Sequence, residues 1–152
     1  MNTMEEARRR VEAYQGNDVD KAGNPYREHL LRVSARGTTE EERLTGLLHD
    51  LPEDHGDDIT EAELRRRFGD RITDALVALT FQKDCESREE YLRRVAANRL
   101  ALAVKWNDLS DNSDPDRLSK IADRRIREKL AEKYTRDKEF LRQLALNEAA
   151  KL

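Results

Sequence analysis

A single cysteine, Cys85, stands among the 152 residues, and aromatic side chains make up only 5% of them. One cysteine excludes an intrachain disulfide. Its neighbours Asp84 and Glu86 argue against a reactive thiol, because nearby acids raise a thiol's pKa. No apolar run is long enough to span a bilayer, and no secretory leader is recognisable. The expectation is a cytoplasmic protein with no membrane partner. A basic excess is also missing. The formal net charge is −3, and the short basic runs at residues 7–10 and 64–69 are matched by nearby acids. That pattern reads as solvated helix faces and argues against a nucleic-acid partner. No internal repeat, low-complexity tract or linker divides the chain, and no run of β-branched residues alternates with polar ones.

What the chain has is charge in helical register. Charged residues account for 40% of it, and its length suits one domain with a single core, taken here as residues 1–152. Thr38 with Glu41, Thr39 with Glu42, Thr60 with Glu63 and Ser87 with Glu90 have the spacing of capping boxes, each marking a helix start. Leu44, Leu47, Leu48 and Leu51 fall at i, i+3, i+4 and i+7, one helical face, which predicts a helix running through Leu51. Further helices are predicted over 3–14, from Pro25 to about Ala35, over 60–68, around Ile72, Leu76 and Leu79, around Tyr91, Leu92 and Val95, and over 100–112. Residues 118–152 read as one or two long charged helices, with a break near Tyr134 and Thr135, serving as a scaffold or a homo-oligomer face. The expected fold is an all-α bundle.

Within this pattern "HDLPED" crowds His49, Asp50, Glu53 and Asp54 together at the end of an apolar run. Acids are favoured at helix N-termini, not there, so a cation is the simplest account of them. His49 with Glu53 and Asp50 with Asp54 are i, i+4 pairs that can face one cavity. Only three histidines exist: His55 directly follows the cluster and is expected to be exposed, while His29 lies on the preceding helix. A fourth ligand comes from "ALAVKWNDLSDN". Ala101, Ala103, Val104, Trp106 and Leu109 predict deep packing there, and Asp108 among them would be costly to bury without a partner. Lys105 and Asn112 lie one turn either side on the same face. The candidate site is therefore His29, His49, Asp50 and Asp108 around one divalent metal, with Mn²⁺, Fe²⁺, Zn²⁺ and Mg²⁺ all compatible with two nitrogens and two oxygens. Such an ion can lower the pKa of water and polarise a phosphoryl group.

The order His, then His-Asp, then a distant Asp resembles the HD superfamily of metal-dependent phosphohydrolases. "GNPYREHLLRV", "LLHDLPED", "ELRRRFGDRITDALVALT" and "AVKWNDLSDN" are similar to successive blocks of the RelA/SpoT-type alarmone hydrolases and their small stand-alone relatives, over residues 21–112. The resemblance implies an HD-domain helical bundle and a phosphohydrolase acting on a phosphorylated small molecule, a nucleotide, in its sharpest form a guanosine-3′,5′-bis(diphosphate) 3′-pyrophosphohydrolase. It implies His29, His49, Asp50 and Asp108 as metal ligands, usually for Mn²⁺, and Glu53 and Asp54 as the acids that handle the attacking water. It places Lys21 and Asn112 at the substrate, with Lys105 as a further substrate-side cation. The alternatives are a broader nucleotide or phosphomonoester phosphatase and a non-catalytic nucleotide-sensing HD domain. Two positions depart from the pattern. Asp20 stands where the alarmone hydrolases carry a guanine-stacking Arg, and Leu30 where they carry Pro. An acid has neither the planar cation nor the charge for that stacking. The expectation is base-tolerant recognition, with Arg27 as a neighbouring cation able to compensate and Asp20→Arg tightening guanine binding.

Overall fold

Short polar side chains start most of the helices. In the computed structural model, which describes residues 2–151, Thr39, Thr60 and Ser87 accept hydrogen bonds from the backbone N–H of Glu42, Glu63 and Glu90, each at 3.1 Å. Three of the four predicted capping boxes are thus realised. Met1 and Leu152, the ends of the expected domain, lie outside the described residues. Among those described there are ten helices and no strand: α1 (Thr3–Gln15), α2 (Tyr26–Arg36), α3 (Glu40–Leu48), α4 (Leu51–His55), α5 (Glu61–Phe68), α6 (Asp70–Ala78), α7 (Arg88–Ala96), α8 (Arg99–Asn112), α9 (Pro115–Ser119) and α10 (Arg124–Ala150). The architecture is the all-α bundle expected.

The core is mainly aliphatic, in line with the scarcity of aromatics, with Tyr91 and Phe68 as its buried rings. Leu30, Val33, Leu47, Leu48, Leu51, Leu76, Leu92, Val95, Ala101, Val104, Leu109 and Leu141 are all essentially inaccessible. Each large side chain among them contributes about 1.5–3 kcal/mol by leaving water. The tightest crossing is that of α2 and α3, with α8 packed against both. Gly46 permits it: a Cβ there would lie 3.3 Å from Ser34 Cα, closer than neighbouring backbones normally tolerate. This crossing sets His29, on α2, against His49, just past the end of α3. Their rings meet edge to face, with centroids 5.6 Å apart.

Several expectations need correction. The helix of "LLHDLPED" does not run through Leu51. It stops at Leu48, His49 and Asp50 form a turn, and Pro52 sits in the first turn of the new helix α4, where its missing N–H costs nothing. Glu53 and Asp54 are therefore in a first turn, where the local dipole favours them. Leu51 keeps the helical spacing only because it is buried from α4 instead. The C-terminal segment divides at Asp123, which caps α10. α10 then runs unbroken through Tyr134 and Thr135. Trp106 is not core: it is 38% exposed, with the Lys138 ammonium 4.9 Å from its ring centroid.

Candidate active site

The turn after α3, the first turns of α2 and the middle of α8 converge on one point. His29, His49 and Asp50 each offer a ligand atom within 4.8 Å of the others. Asp108 completes the group. Its Oδ1 lies 3.0 Å from His29 Nε2 and 3.2 Å from His49 Nε2, and Asp50 Oδ2 lies 3.2 Å from His49 Nε2. His29, His49 and Asp108 are buried, and the Tyr26 hydroxyl donates to Asp50.

The other ring nitrogens say what the centre can hold. His49 Nδ1 lies 2.6 Å from the Gly46 carbonyl oxygen, and His29 Nδ1 lies 2.6 Å from Asp111 Oδ2. Both acceptors require a proton on Nδ1. In the neutral rings both Nε2 lone pairs then point at carboxylate oxygens. Lone pairs aimed at anions repel unless positive charge sits between them. Charge follows the same logic. Burial opposes protonation of His49, yet Asp50 and Asp108 hold its pKa well above the ordinary value. Burial opposes ionisation of Asp108, yet Lys105, His49 and His29 hold its carboxyl well below the usual carboxylate range. Two nitrogens and two oxygens around a site that demands positive charge fit a divalent metal.

Glu53 and Asp54 part company. Glu53 lines the cavity that contains His49, Asp50 and Asp108. Its Oε1 accepts the Phe81 N–H at 2.8 Å, and burial raises its pKa. Asp54 does not line that cavity; it accepts Gln15 Nε2 of α1 at 3.3 Å. Burial, with the charges of Asp50 and Glu53, pushes its pKa up to about 6. His55, expected exposed, is half-buried and held between Asp18 and Asp58 at 3.1 and 3.3 Å.

The cavity is about 590 Å³ and is also lined by Lys105, Asn112, Arg88, Lys133 and Tyr134. A second cavity of about 380 Å³ adjoins it, sharing Tyr26, Asn112 and Tyr134. Lys21 lines this smaller space, not the one with the histidines. Lys105 is buried, and its ammonium bonds to Asp108 Oδ2 at 3.1 Å. Asn112 donates to Asp108 Oδ1 at 3.2 Å. α10, expected to be a scaffold, supplies Lys133 and Tyr134 to the larger cavity and Leu130 to the smaller.

Two charged residues escaped the sequence reading. Asp111, 1% exposed, orients His29 while taking Arg32 Nε at 2.7 Å. Its position three residues after Asp108 was the only signal, since i+3 shares a helical face. Arg117 of α9 donates to Asn112 Oδ1 and sits 3.3 Å from both Asp111 Oδ2 and Asp20 Oδ2. Nothing local marks it. Asp20 is correspondingly not a free acid facing substrate. Its Oδ1 accepts the Ala22 and Asn24 N–H groups at 2.9 Å each, closing the loop, and its other oxygen meets Arg117. Arg27 points away and pairs with Glu12 at 3.0 Å.

No family model matches the chain, and no curated protein matches it in sequence. Among solved structures it is similar to a metazoan ortholog of SpoT that hydrolyzes ppGpp and plays a role in starvation responses. The TM-score is 0.71 at 20% sequence identity, covering 96% of this chain and 97% of that one. Correspondence over nearly the full length of both chains shows that the helical bundle built around His29, His49, Asp50 and Asp108 has the fold of that ppGpp hydrolase.

Proposed function

We propose that the chain is an HD-type, metal-dependent phosphohydrolase acting on a nucleotide, in its sharpest form removing the 3′-diphosphate of guanosine 3′,5′-bis(diphosphate). The observation that carries this reading is the convergence of His29, His49, Asp50 and Asp108 on one point at the wall of a cavity large enough for a nucleotide. The activity of the structural neighbour supports it. A divalent cation, Mn²⁺ on this reading, supplies a Lewis acid that lowers the pKa of water and polarises a phosphoryl oxygen.

The protein's own groups do the rest. His29, His49, Asp50 and Asp108 hold the ion; Asp111 and the Gly46 carbonyl fix the imidazole tautomers. Glu53, tethered to the Phe81 N–H, orients the attacking water and accepts its proton, with Asp54 as the outer acid of the pair. Lys105 and Asn112 balance Asp108 and meet the phosphate side of the substrate. Lys21, with the apolar lining of the smaller cavity, meets the nucleoside side. Asp20 is engaged by Arg117, which favours a base-tolerant nucleotide hydrolase over a strict guanine enzyme. No helix among the described residues is long and apolar enough to cross a membrane.

The test is a screen for phosphate and pyrophosphate release across nucleotides with added Mn²⁺, run on wild type and His49→Ala. Metal-dependent release that is lost in the variant is expected. Release undiminished in His49→Ala, or none from any nucleotide, refutes the reading.

A further inference from the structure

The chain between α6 and α7 lines the larger cavity from Phe81 to Cys85, and its course is set from outside that cavity. α6 ends at Ala78, and the carbonyls at a helix end lack intrahelical donors. Two side chains of α7 take those of Leu79 and Thr80. Tyr91 donates its hydroxyl to the Leu79 carbonyl at 2.8 Å, and Arg94 Nη2 donates to the Thr80 carbonyl at 2.7 Å. The two donors stand three residues apart, on one face of the helix. Arg94 also pairs with Glu86 through Nη1 and Nη2, and Glu86 Oε1 accepts the Gln82 N–H at 2.8 Å. Both ends of the loop therefore close on one guanidinium, which lies 5.4 Å from the Tyr91 ring centroid. Neither Arg94 nor Glu86 lines the cavity.

The Thr80 carbonyl and the Phe81 N–H belong to one peptide unit, which is planar and trans, so they point in opposite directions from it. Arg94 holds the carbonyl end at 2.7 Å, and Glu53 Oε1 takes the N–H end at 2.8 Å. Fixing the carbonyl fixes the direction of the N–H. A cationic donor on the oxygen also polarises the amide and strengthens its N–H as a donor. Glu53 depends on that bond. A glutamate has several rotatable bonds, and holding it in one rotamer costs entropy. The Phe81 N–H is the hydrogen bond that holds this one. It engages Oε1 and leaves Oε2 without a protein donor.

We propose that Arg94 is a positioning residue for Glu53, acting through the Thr80–Phe81 peptide from outside the cavity. This rests on the reading of Glu53 as the group that orients the attacking water and accepts its proton. Arg94 touches neither the substrate nor the candidate metal ligands. It keeps Glu53 Oε1 engaged and Oε2 turned to the water. Removing it lowers turnover and leaves metal and substrate binding in place. Lysine does not replace it. An ammonium can meet the Thr80 carbonyl or Glu86, but it lacks the planar fork that spans both.

Two readouts test this, one of them independent of turnover. The first is amide hydrogen exchange of the Mn²⁺-loaded full chain, read residue by residue by mass spectrometry. Arg94→Gln should speed exchange at Phe81 by about tenfold, while Leu92 and Val95 of α7 stay within about twofold of wild type. The second is a double-mutant cycle with Glu53→Gln, on the nucleotide that the release screen finds best. Arg94→Gln alone should lower kcat by about tenfold, with KM and metal content within about twofold. In the Glu53→Gln background it should change kcat by no more than about twofold, because the group it positions is already gone. If Arg94→Gln melts far below wild type, Arg94→Lys is measured in its place and the same outcomes are required. Unchanged exchange at Phe81 overturns the proposal. So does a loss of kcat that recurs in full in the Glu53→Gln background, which would make Arg94 a structural residue only. Release from no nucleotide counts against the phosphohydrolase reading, whereas the exchange result counts for or against the tether by itself.

Discussion

Replacing Asp111 with asparagine keeps its volume and removes its charge. Asp111 is 1% exposed and accepts from His29 Nδ1 at 2.6 Å and Arg32 Nε at 2.7 Å, with Arg117 at 3.3 Å. The amide keeps one acceptor oxygen and presents an NH₂ to one of these donors. Arg32 is 46% exposed and can turn to water. His29 is 1% exposed and cannot, so the loss falls on the imidazole. Two effects follow. The metal-free protein loses a charge-assisted hydrogen bond, about 1.5–3 kcal/mol. His29 loses the acceptor that fixes its tautomer, and such outer partners are worth about 10–100-fold in metal affinity, or about 1.4–2.7 kcal/mol.

Thermal melts over a range of free Mn²⁺ separate the two. The difference without metal reports the first. The concentration at which the melting temperature begins to climb reports the second, because metal stabilises only the form that binds it. Well above both dissociation constants the metal-linked part should amount to about 3–11 °C for a chain of this size. An unchanged metal dependence alongside a lowered metal-free melting point would leave Asp111 a purely structural partner of Arg32 and would remove the argument for His29 as a ligand.

Glu53→Gln should retain metal, by elemental analysis, while its turnover number drops by about 10²-fold or more; undiminished turnover would reduce Glu53 to a tether for the Phe81 loop. The Asp54 carboxyl, pushed up to about 6, gives the metal-free protein stability that is full below the ordinary carboxylate range and is lost as pH rises through about 6. Denaturant midpoints should therefore slope downward between about pH 4 and 6 in wild type and lose that component in Asp54→Asn, and an identical slope in both would contradict the assignment. Asp20→Arg, which on sequence grounds should tighten guanine binding, is now expected to do the reverse. It deletes an acceptor used by Ala22, Asn24 and Arg117 and sets two guanidinium groups against each other. Hydrogen exchange in residues 20–25 should accelerate and guanine nucleotide affinity should fall, whereas selective tightening for guanine over adenine would restore the original expectation.

The helix starts could be read from sequence because their causes are local. Thr39, Thr60 and Ser87 satisfy N–H groups three residues away, and no distant part of the chain can cancel that. The break at His49 and Asp50 was missed because its two signals point opposite ways. Leu51 continues the apolar spacing of α3, while Pro52 is tolerable either as the last residue of one helix or as an early residue of the next. Only packing decides between them, and packing buries Leu51 from α4. The donor atoms could be anticipated for a different reason: a carboxylate such as Asp108 within an apolar helix is too costly without a partner, so its surroundings are constrained even before they are seen.

Charged residues on polar faces carry no such constraint. Asp111 reads as a surface acid until α2 packs beside it, and Asp20 as a repulsive acid until Arg117 arrives from 97 positions away. Lys133 belongs with them. In a segment where nearly every other residue is charged, a lysine facing solvent and a lysine lining a cavity leave the same mark in the sequence. The difference lies in what tertiary structure sets beside it, and for Lys133 that is Arg88 and Lys105 together with Asp137 and Glu53. Charged residues on the cavity walls are thus the ones that sequence pattern constrains least. A fold held in common with a ppGpp hydrolase at 20% identity leaves the choice of nucleotide open, because side chains such as Asp20 and Arg117 can differ while the bundle and its buried polar centre stay the same.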